Sequence, residues 1–273
     1  MLLHSELGKR GGHDLQDKCK ITFLTSEPYI GHLGLGGAGD SKAVLSKLFK
    51  KKNIDSFVNC NVKEVTKDII SFEYNEVLEN GEVVTHQATI PSRHTMMIPP
   101  FRGQPVWAEV PELTDKNGMI ITDEHMQSPK YPNIFAVGVC VSLPPVEKTL
   151  IPTGTPKTGY MIESMGTAAV KNIRDLIIHK EKKTNFGDHA KLHHKALLNG
   201  LCLTDFGNDG AIFLTSPQIP PRRIDITVEG KVATLAKIAF EKYFLHKVMT
   251  GDTDPYYEKY MLHLIGMDRT AKE

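Results

Sequence analysis

A glycine-rich run between an apolar strand and a helix constrains this chain more than any other feature. Gly31–Gly39 (GHLGLGGAG) contains Gly34-Leu35-Gly36-Gly37-Ala38-Gly39, a literal match to G-x-G-x-x-G. Before it, residues 20–25 (KITFLT) read as a short buried strand. After it, Val44, Leu45, Leu48 and Phe49 recur at helical spacing, which predicts a helix from about Asp40 to Lys52. Asp40 or Ser41 can cap its first turn, and lysines end it at the negative pole of the dipole. Strand, glycine turn and helix open a nucleotide-binding α/β unit, where phosphate meets backbone amides at a helix N-terminus. Two details favour a packed, non-binding loop instead. The stretch from Ser26 to Leu33 is long for the tight turn of that fingerprint. Asp55 also stands at the start of the next strand rather than its end.

The remaining pattern continues the α/β theme. Residues 54–74 contain the short strands IDSFVN and IISFEY. Glu79-Asn80-Gly81 is then a hairpin turn before EVVTHQATI, because Asn and Gly both tolerate positive φ. Residues 96–113 are proline-rich and read as a crossover. Short strands are expected at Met119–Thr122 and Ile134–Val139. A loop over 140–155 then leads to a helix over about 157–179, with Met161, Met165, Ala168, Ala169 and Ile173 on one side. Pro156 fits the first turn of that helix. Beyond a charged hinge, LCLTDF and AIFLTS form a strand pair across a Gly-Asn-Asp-Gly turn. PQIPPRR is an irregular connector, and helices follow over 231–250 and Tyr256–Ile265.

Composition narrows the function classes. The chain has 273 residues, 40% hydrophobic and 24% charged, enough for a globular core. A net charge of +1 gives no global field for nucleic acid. Cys19, Cys60, Cys140 and Cys202 form no CxxC, so neither a zinc site nor a thioredoxin-style dithiol is expected. HExxH, GxSxG and GxxxxGK[ST] are absent, so no metal is expected. Met1–Lys20 lacks the apolar stretch of a signal peptide. No run approaches the ~18 apolar residues of a transmembrane helix, so a membrane contact would be peripheral.

Three constellations carry possible chemistry. In Phe135–Cys140 (FAVGVC), Gly138 lets backbone approach a planar cofactor, and Cys140 follows at the carboxyl end where open α/β sheets bind ligands. A downstream lysine and helix N-terminus would stabilise its thiolate; a small buried hydrophobe is the alternative. In residues 152–161 (PTGTPKTGYM), a helix starting near Lys157 would aim free amides and a cation at an anionic reduced flavin. An ordinary helix start with a solvated lysine is the other reading. In the C-terminal helices, Leu235, Ile238, Phe240, Tyr243, Phe244, Leu245 and Val248, then Tyr256, Tyr257, Tyr260, Met261, Leu264 and Ile265, lie beside Lys242, His246, Lys247, Lys259 and Arg269. That suits a membrane interface, or else a core-packing or dimer-forming hairpin.

Taken together, KITFLTSEPYIGHLGLGGAGDSK, YPNIFAVGVCVSLPPVEKTLIPTGTPKTGYMIESMGTAAVKNI and FEKYF resemble the sulfide:quinone oxidoreductases, membrane-associated members of the flavin disulfide reductase superfamily. The resemblance implies an α/β chain with part of a two-dinucleotide-binding-domain (FAD/NAD(P)-type, Rossmann-like) fold, plus a C-terminal strand pair and amphipathic helices. It divides the chain into an incomplete scaffold nucleotide domain (1–105), the C-terminal part of an FAD domain (106–185) and a membrane-associating or dimerising domain (186–273). It implies FAD, held in an incomplete site because the family's first G-x-G-x-x-G segment is not in this sequence. Sulfide is the implied electron donor and quinone the acceptor. Cys140 becomes the sulfur-carrying redox cysteine, and Lys157 the stabiliser of reduced flavin. Gly138, Val139, Pro156, Lys157, Thr158, Gly159 and Tyr160 become cofactor-binding, with Tyr160 and Met161 near the flavin–quinone side. The partner cysteine is not assigned to Cys19 or Cys60. A peripheral place on the cytoplasmic face of a membrane follows, with a separate N-terminal half or a second copy as partner. The alternatives are a non-catalytic scaffold or membrane-interaction subunit without flavin, and a nicotinamide-dependent flavin reductase using the 34–39 loop.

Overall fold

A computed structural model of the chain describes residues 1–182, 192–207, 209–251, 260 and 263–272; the side chains of residues 13, 14 and 179–182 are not described. β1 (Ile21–Leu24) and β2 (Ile54–Phe57) pair in parallel, with Ile21 opposite Ile54. Parallel neighbours need a crossover, and α2 (Ser41–Lys51) provides it. This helix buries Val44, Leu45 and Leu48, as their spacing predicts. Phe49 is half-buried and meets Phe23 edge-on, with ring centroids 5.5 Å apart. The capping differs from expectation. Asp40 is the N-cap residue but makes no side-chain cap bond. Ser41 Oγ instead donates to the Gly31 carbonyl at 2.6 Å and accepts from the Ala38 N–H at 2.9 Å. Its hydroxyl therefore fastens the glycine loop rather than the helix.

β3 (Cys60–Val65), β4 (Ile69–Val77) and β5 (Val83–Pro91) form an antiparallel meander. The β4–β5 turn falls where Asn80-Gly81 predicts it, with positive φ at Gly81 (83°) but not at Asn80. β3 escapes sequence reading because its outward positions, Asn61, Lys63 and Glu64, mask the buried Cys60, which packs with Ile70 and Phe72.

The strands expected at Met119–Thr122 and Ile134–Val139 shrink to isolated pairings, Thr114–Ile120, Ile120–Val141 and Gln127–Phe135. An apolar run becomes a strand only where a neighbour continues the ladder. In the proline-rich crossover a short α3 (Pro105–Ala108) appears. α4 (Gly159–Lys182) starts later than expected: the Ile162 N–H donates to the Thr158 carbonyl at 3.0 Å, so Pro156 and Lys157 precede the helix. Met161, Met165, Ala168 and Ala169 pack against Met126, Ala136 and Val141. Ile173 does not join them and is 38% exposed. Asn172 takes the inward position. Its amide donates to the His125 and His194 carbonyls at 3.2 and 2.7 Å, and its oxygen accepts from the His193 and His194 amides at 3.3 and 3.0 Å.

β6 (His194–Ala196) pairs antiparallel with β10 (Thr270–Lys272). The expected strand pair is present as β7 (Gly200–Asp205) and β8 (Gly210–Ser216), and β9 (Ile224–Glu229) adds a third strand. Asn208 of the turn lies outside the described residues. α5 (Lys231–Thr250) matches its expected span and buries Ala233 against this sheet. Its apolar side chains are not confined to one stripe, and Leu235 and Met249 are 65% and 85% exposed. Tyr256, Tyr257, Lys259 and Met261 of the second expected helix lie outside the described residues. Glu163 of α4 accepts from Lys247 of α5 at 2.6 Å and from Arg269 at 2.5 Å, joining three segments. One apolar cluster unites Ala38, Val44, Leu45 and Leu48 with Phe206, Ala211 and Phe213. Against it docks α1 (Leu2–Lys18), kinked at Gly12 (φ 68°) and unforeseen in its polar sequence; Ser5 Oγ donates to the Phe206 carbonyl at 3.1 Å.

Asn172→Leu strands two carbonyls and two amides that now share one side chain. The expected loss is about 2–4 kcal/mol of stability, read as a lower urea midpoint at unchanged m-value. A change below about 0.5 kcal/mol would contradict this placement of Asn172.

Candidate functional site

The glycine loop spends its amides inside the protein. Gly34 N–H donates to His32 Nδ1 at 3.1 Å, and those of Leu35 and Gly37 donate to the His32 carbonyl at 3.0 and 2.8 Å. Ala38 N–H donates to Ser41 Oγ, Gly39 N–H to Asp225 Oδ1 at 2.6 Å, and Asp40 N–H to Thr227 Oγ1 at 3.0 Å. A dinucleotide phosphate would need these donors. The Asp225 carboxylate already stands where that anion would sit, so the packed-loop reading holds. Arg222 completes the arrangement by donating to the Leu35 and Gly37 carbonyls at 2.6 and 2.7 Å and pairing with Asp225 at 3.0 Å.

The same loop carries a buried imidazole paired with a solvent-exposed carboxylate. Because His32 Nδ1 accepts from Gly34, its proton sits on Nε2, which donates to Glu147 Oε1 at 2.6 Å. Burial raises the Glu27 carboxyl above its ordinary range, against the opposing pull of His32 and the Leu33 and Gly34 amides. The loop also touches the 152–161 motif directly. Gly34 has φ 67°, and a Cβ there would lie 2.6 Å from the Gly154 carbonyl oxygen and 3.0 Å from Pro156 Cδ. Only glycine fits both the dihedral and the space.

Residues 156–158 run between two hollows. A cavity of ≈ 200 Å³ has Pro156, Thr158, Cys202, Phe213 and Gln218 in its wall. A cleft of ≈ 170 Å³ has Phe101, Arg102, Trp107, Val139 and Cys140 in its wall. Lys157 belongs with the cleft's rim: its Nζ donates to the Val139 carbonyl at 3.2 Å. Burial lowers the Lys157 pKa, while the nearby Cys140 and Asp115 work the other way. Burial also works against the Asp115 carboxylate, but donation from Ser142, Met119 and Asn117, with Lys157 nearby, holds its pKa below the ordinary value.

The structure thus brings Val139, Cys140 and Lys157 together, as the sequence suggested. Cys140 is exposed, and its thiol donates to the Val137 carbonyl at 3.2 Å. Gly138 is buried, has φ 82° and donates to Met165 Sδ at 3.4 Å. Gly159 opens α4. Tyr160 and Met161 turn inward instead: Tyr160 donates its hydroxyl proton to the Met267 carbonyl at 2.5 Å, and Met161 is fully buried. Pro156 and Thr158 face the other hollow, where they meet two residues the sequence reading did not single out. Cys202 carries a thiol whose pKa is pushed up by burial, against the pull of Lys237. Gln218 is 0% exposed. Among the described residues, Thr158 Oγ1 and Gln218 Oε1 are buried without a hydrogen-bond partner. Cys202 sits in a half-buried strand and Gln218 in a connector, so neither has a local signature.

An α/β chain with a crossed parallel pair, a plugged glycine loop and an apolar cavity at a helix start has the organisation of FAD- and NAD(P)-dependent oxidoreductases. No family model matches the sequence. A sulfide-quinone reductase from Aquifex aeolicus (strain VF5) is 41% identical over 266 residues, covering 97% of this chain and 57% of that protein. The X-ray structure of the sulfide:quinone oxidoreductase from the hyperthermophilic bacterium Aquifex aeolicus superposes with a TM-score of 0.84 and 40% identity, covering 99% of this chain and 59% of that one. A chain of the Tetrahymena thermophila mitochondrial ATP synthase, 18% identical with a TM-score of 0.50 over 79% of this chain and 46% of its own, shares the fold alone. The chain is similar over nearly its whole length to sulfide:quinone oxidoreductases and spans a little over half the length of the relatives it matches.

Cys60 offers a check on these environments. Burial pushes its thiol up to about 11, so at pH 8 roughly one molecule in a thousand carries the thiolate. Iodoacetamide at pH 8 should label Cys140 first and Cys60 last, with rates about a hundredfold apart. The Cys60 rate should rise as pH climbs toward its pKa. Peptide mass spectrometry reads the order, and comparable rates would refute the burial of Cys60.

Proposed function

We propose that this chain is part of an FAD-dependent oxidoreductase that takes electrons from sulfide and passes them to a membrane quinone. One observation carries this reading: Cys202 shares an apolar cavity with the Pro156–Thr158 lead-in to α4, in a chain 41% identical to a sulfide-quinone reductase. The apolar walls fit one face of a planar cofactor, so Pro156 and Thr158 would help hold the flavin. When bound, the flavin supplies a two-electron store between donor and acceptor. In the overall reaction, hydrosulfide leaves its sulfur at the zero-valent level, releasing one proton and two electrons. A quinone takes up two electrons and two protons.

The chain's own groups divide the work. Leu33, Leu35 and Phe213 line the cavity with apolar surface, which keeps water from Cys202. Cys202 is the sulfur carrier this geometry favours, because it lines the same hollow as Pro156 and Thr158. Cys140 is the second reading. It is supported by the Lys157 ammonium, which sits on the Val139 carbonyl next to it. On either reading residues 1–105 serve as scaffold, which accords with the plugged glycine loop. The exposed apolar side chains of α5 support a peripheral membrane contact, placed on the cytoplasmic face, through which quinone arrives. Among the described residues, no helix is long and apolar enough to cross a membrane.

The test coexpresses this chain with the N-terminal segment that its longer relatives carry, then titrates the purified complex with sulfide anaerobically. The flavin absorbance should bleach. Cys202→Ser should slow bleaching by about a hundredfold or more, whereas Cys140→Ser should stay within about threefold. The opposite pattern would move the role to Cys140. A complex that stays colourless with added FAD would leave a non-catalytic scaffold.

A further inference from the structure

One face of the β7–β8 pair floors the ≈ 200 Å³ cavity beside Cys202. Side chains alternate along a strand, and the register sets Cys202 opposite Phe213 and Gly200 opposite Thr215, so these four share that face. Cys202 therefore stands beside the Phe213 ring. The glycine loop roofs the cavity with Leu33, Leu35 and Ala38. Leu35, Ala38 and Phe213 are buried, whereas Leu33 is half-buried and stands at the rim. Glu27 joins it there, and the half-buried Pro156 and Thr158 form the rest of the rim. The flavin reading fills the side of Pro156 and Thr158, which leaves sulfur to reach Cys202 past Leu33.

The backbone pins Leu33 in this place. Its φ is 59°, a left-handed conformation that costs a residue with a Cβ about 1–2 kcal/mol. The Glu27 carboxyl accepts from the Leu33 amide and holds the turn. Strain of this kind persists only where the surroundings over-determine it, and it gathers at functional sites. Leu33 and Cys202 also pack against one apolar cluster that includes Phe213. We propose that Leu33 is a size filter on the approach to Cys202, admitting hydrosulfide and shutting out organic thiols. Hydrosulfide has a single heavy atom, whereas a carbon skeleton needs the space that the leucine isobutyl group fills. This rests on the sulfur-carrier role given to Cys202 and adds the residue that selects its substrate.

The test needs neither flavin nor turnover. The purified chain is treated with methyl and with benzyl methanethiosulfonate, and peptide mass spectrometry reads the rates at Cys202 and at the exposed Cys140. In each reaction the thiolate attacks the sulfenyl sulfur, a disulfide forms, and methanesulfinate leaves with the electron pair of the broken S–S bond. Both reagents need the same thiolate, so the burial that pushes up the Cys202 pKa cancels in their ratio. Normalised to Cys140, the methyl reagent should outpace the benzyl reagent at Cys202 by at least about tenfold. Leu33→Ala should shrink that preference to about threefold or less while the methyl rate stays within about twofold. Leu33→Met, of similar volume, should retain it. Phe206→Leu loosens the same apolar cluster without lining the cavity and should retain it too. A preference lost equally in Phe206→Leu would overturn the filter, as would one unchanged in Leu33→Ala or absent from the unaltered chain. In those cases the sulfur-carrier role of Cys202 still stands to be judged by sulfide-dependent bleaching. A Cys202 that reacts with neither reagent would remove both that role and the filter.

Discussion

The guanidinium of Arg222 holds together the part of this molecule on which everything else is built. It lies 9% exposed, grips the Leu35 and Gly37 carbonyls and shares Asp225 with the Gly39 amide. Charge-assisted bonds of this kind contribute about 1.5–3 kcal/mol each when shielded from water. They freeze a backbone that glycines would otherwise leave free, at the angle where Gly34 can press against Gly154 and Pro156. That contact places the lead-in to α4, and the lead-in separates the Cys202 cavity from the Cys140 cleft.

A loop with the wording of a dinucleotide site has thus become a structural joint. Its helix N-terminus still attracts an anion, but the anion is the protein's own carboxylate from β9. The freed role passes to the neighbouring motif. There Lys157 and Thr158, adjacent in sequence, face opposite hollows: one sits on the Val139 carbonyl beside Cys140, the other lines the cavity of Cys202. Two thiols in such different surroundings suit different chemistry. Cys140 meets solvent beside a cation, whereas burial keeps Cys202 protonated to higher pH.

Much of the fold was legible locally. The spacing of Val44, Leu45 and Leu48 located α2, Asn80-Gly81 located a hairpin, and α5 kept its expected bounds. Errors fell where a neighbour decides the outcome. Ile120 and Phe135 sit in apolar runs that make only isolated bridges. Asn172 displaced Ile173 from the core face because four backbone groups of distant loops needed its amide. Of the site residues, Val139, Cys140 and Lys157 were legible as neighbours because the FAVGVC strand end and the downstream lysine at the helix entry lie close along the chain.

By itself the sequence determined the strand–glycine–helix opening, the presence of a long helix beyond the proline-rich entry and the thiol and lysine that meet at Val139. Each depends on residues close along the chain, whose periodicity and dihedral preferences act within a turn or two. Only the tertiary structure decided that the glycine loop would be closed to phosphate and that Cys202 and Gln218 would share a cavity with Thr158. The bonds responsible link Gly39 to Asp225 and Pro156 to Gln218. Such long-range pairings are chosen by the need to satisfy buried polar groups, and that need exists only once the chain has closed on itself.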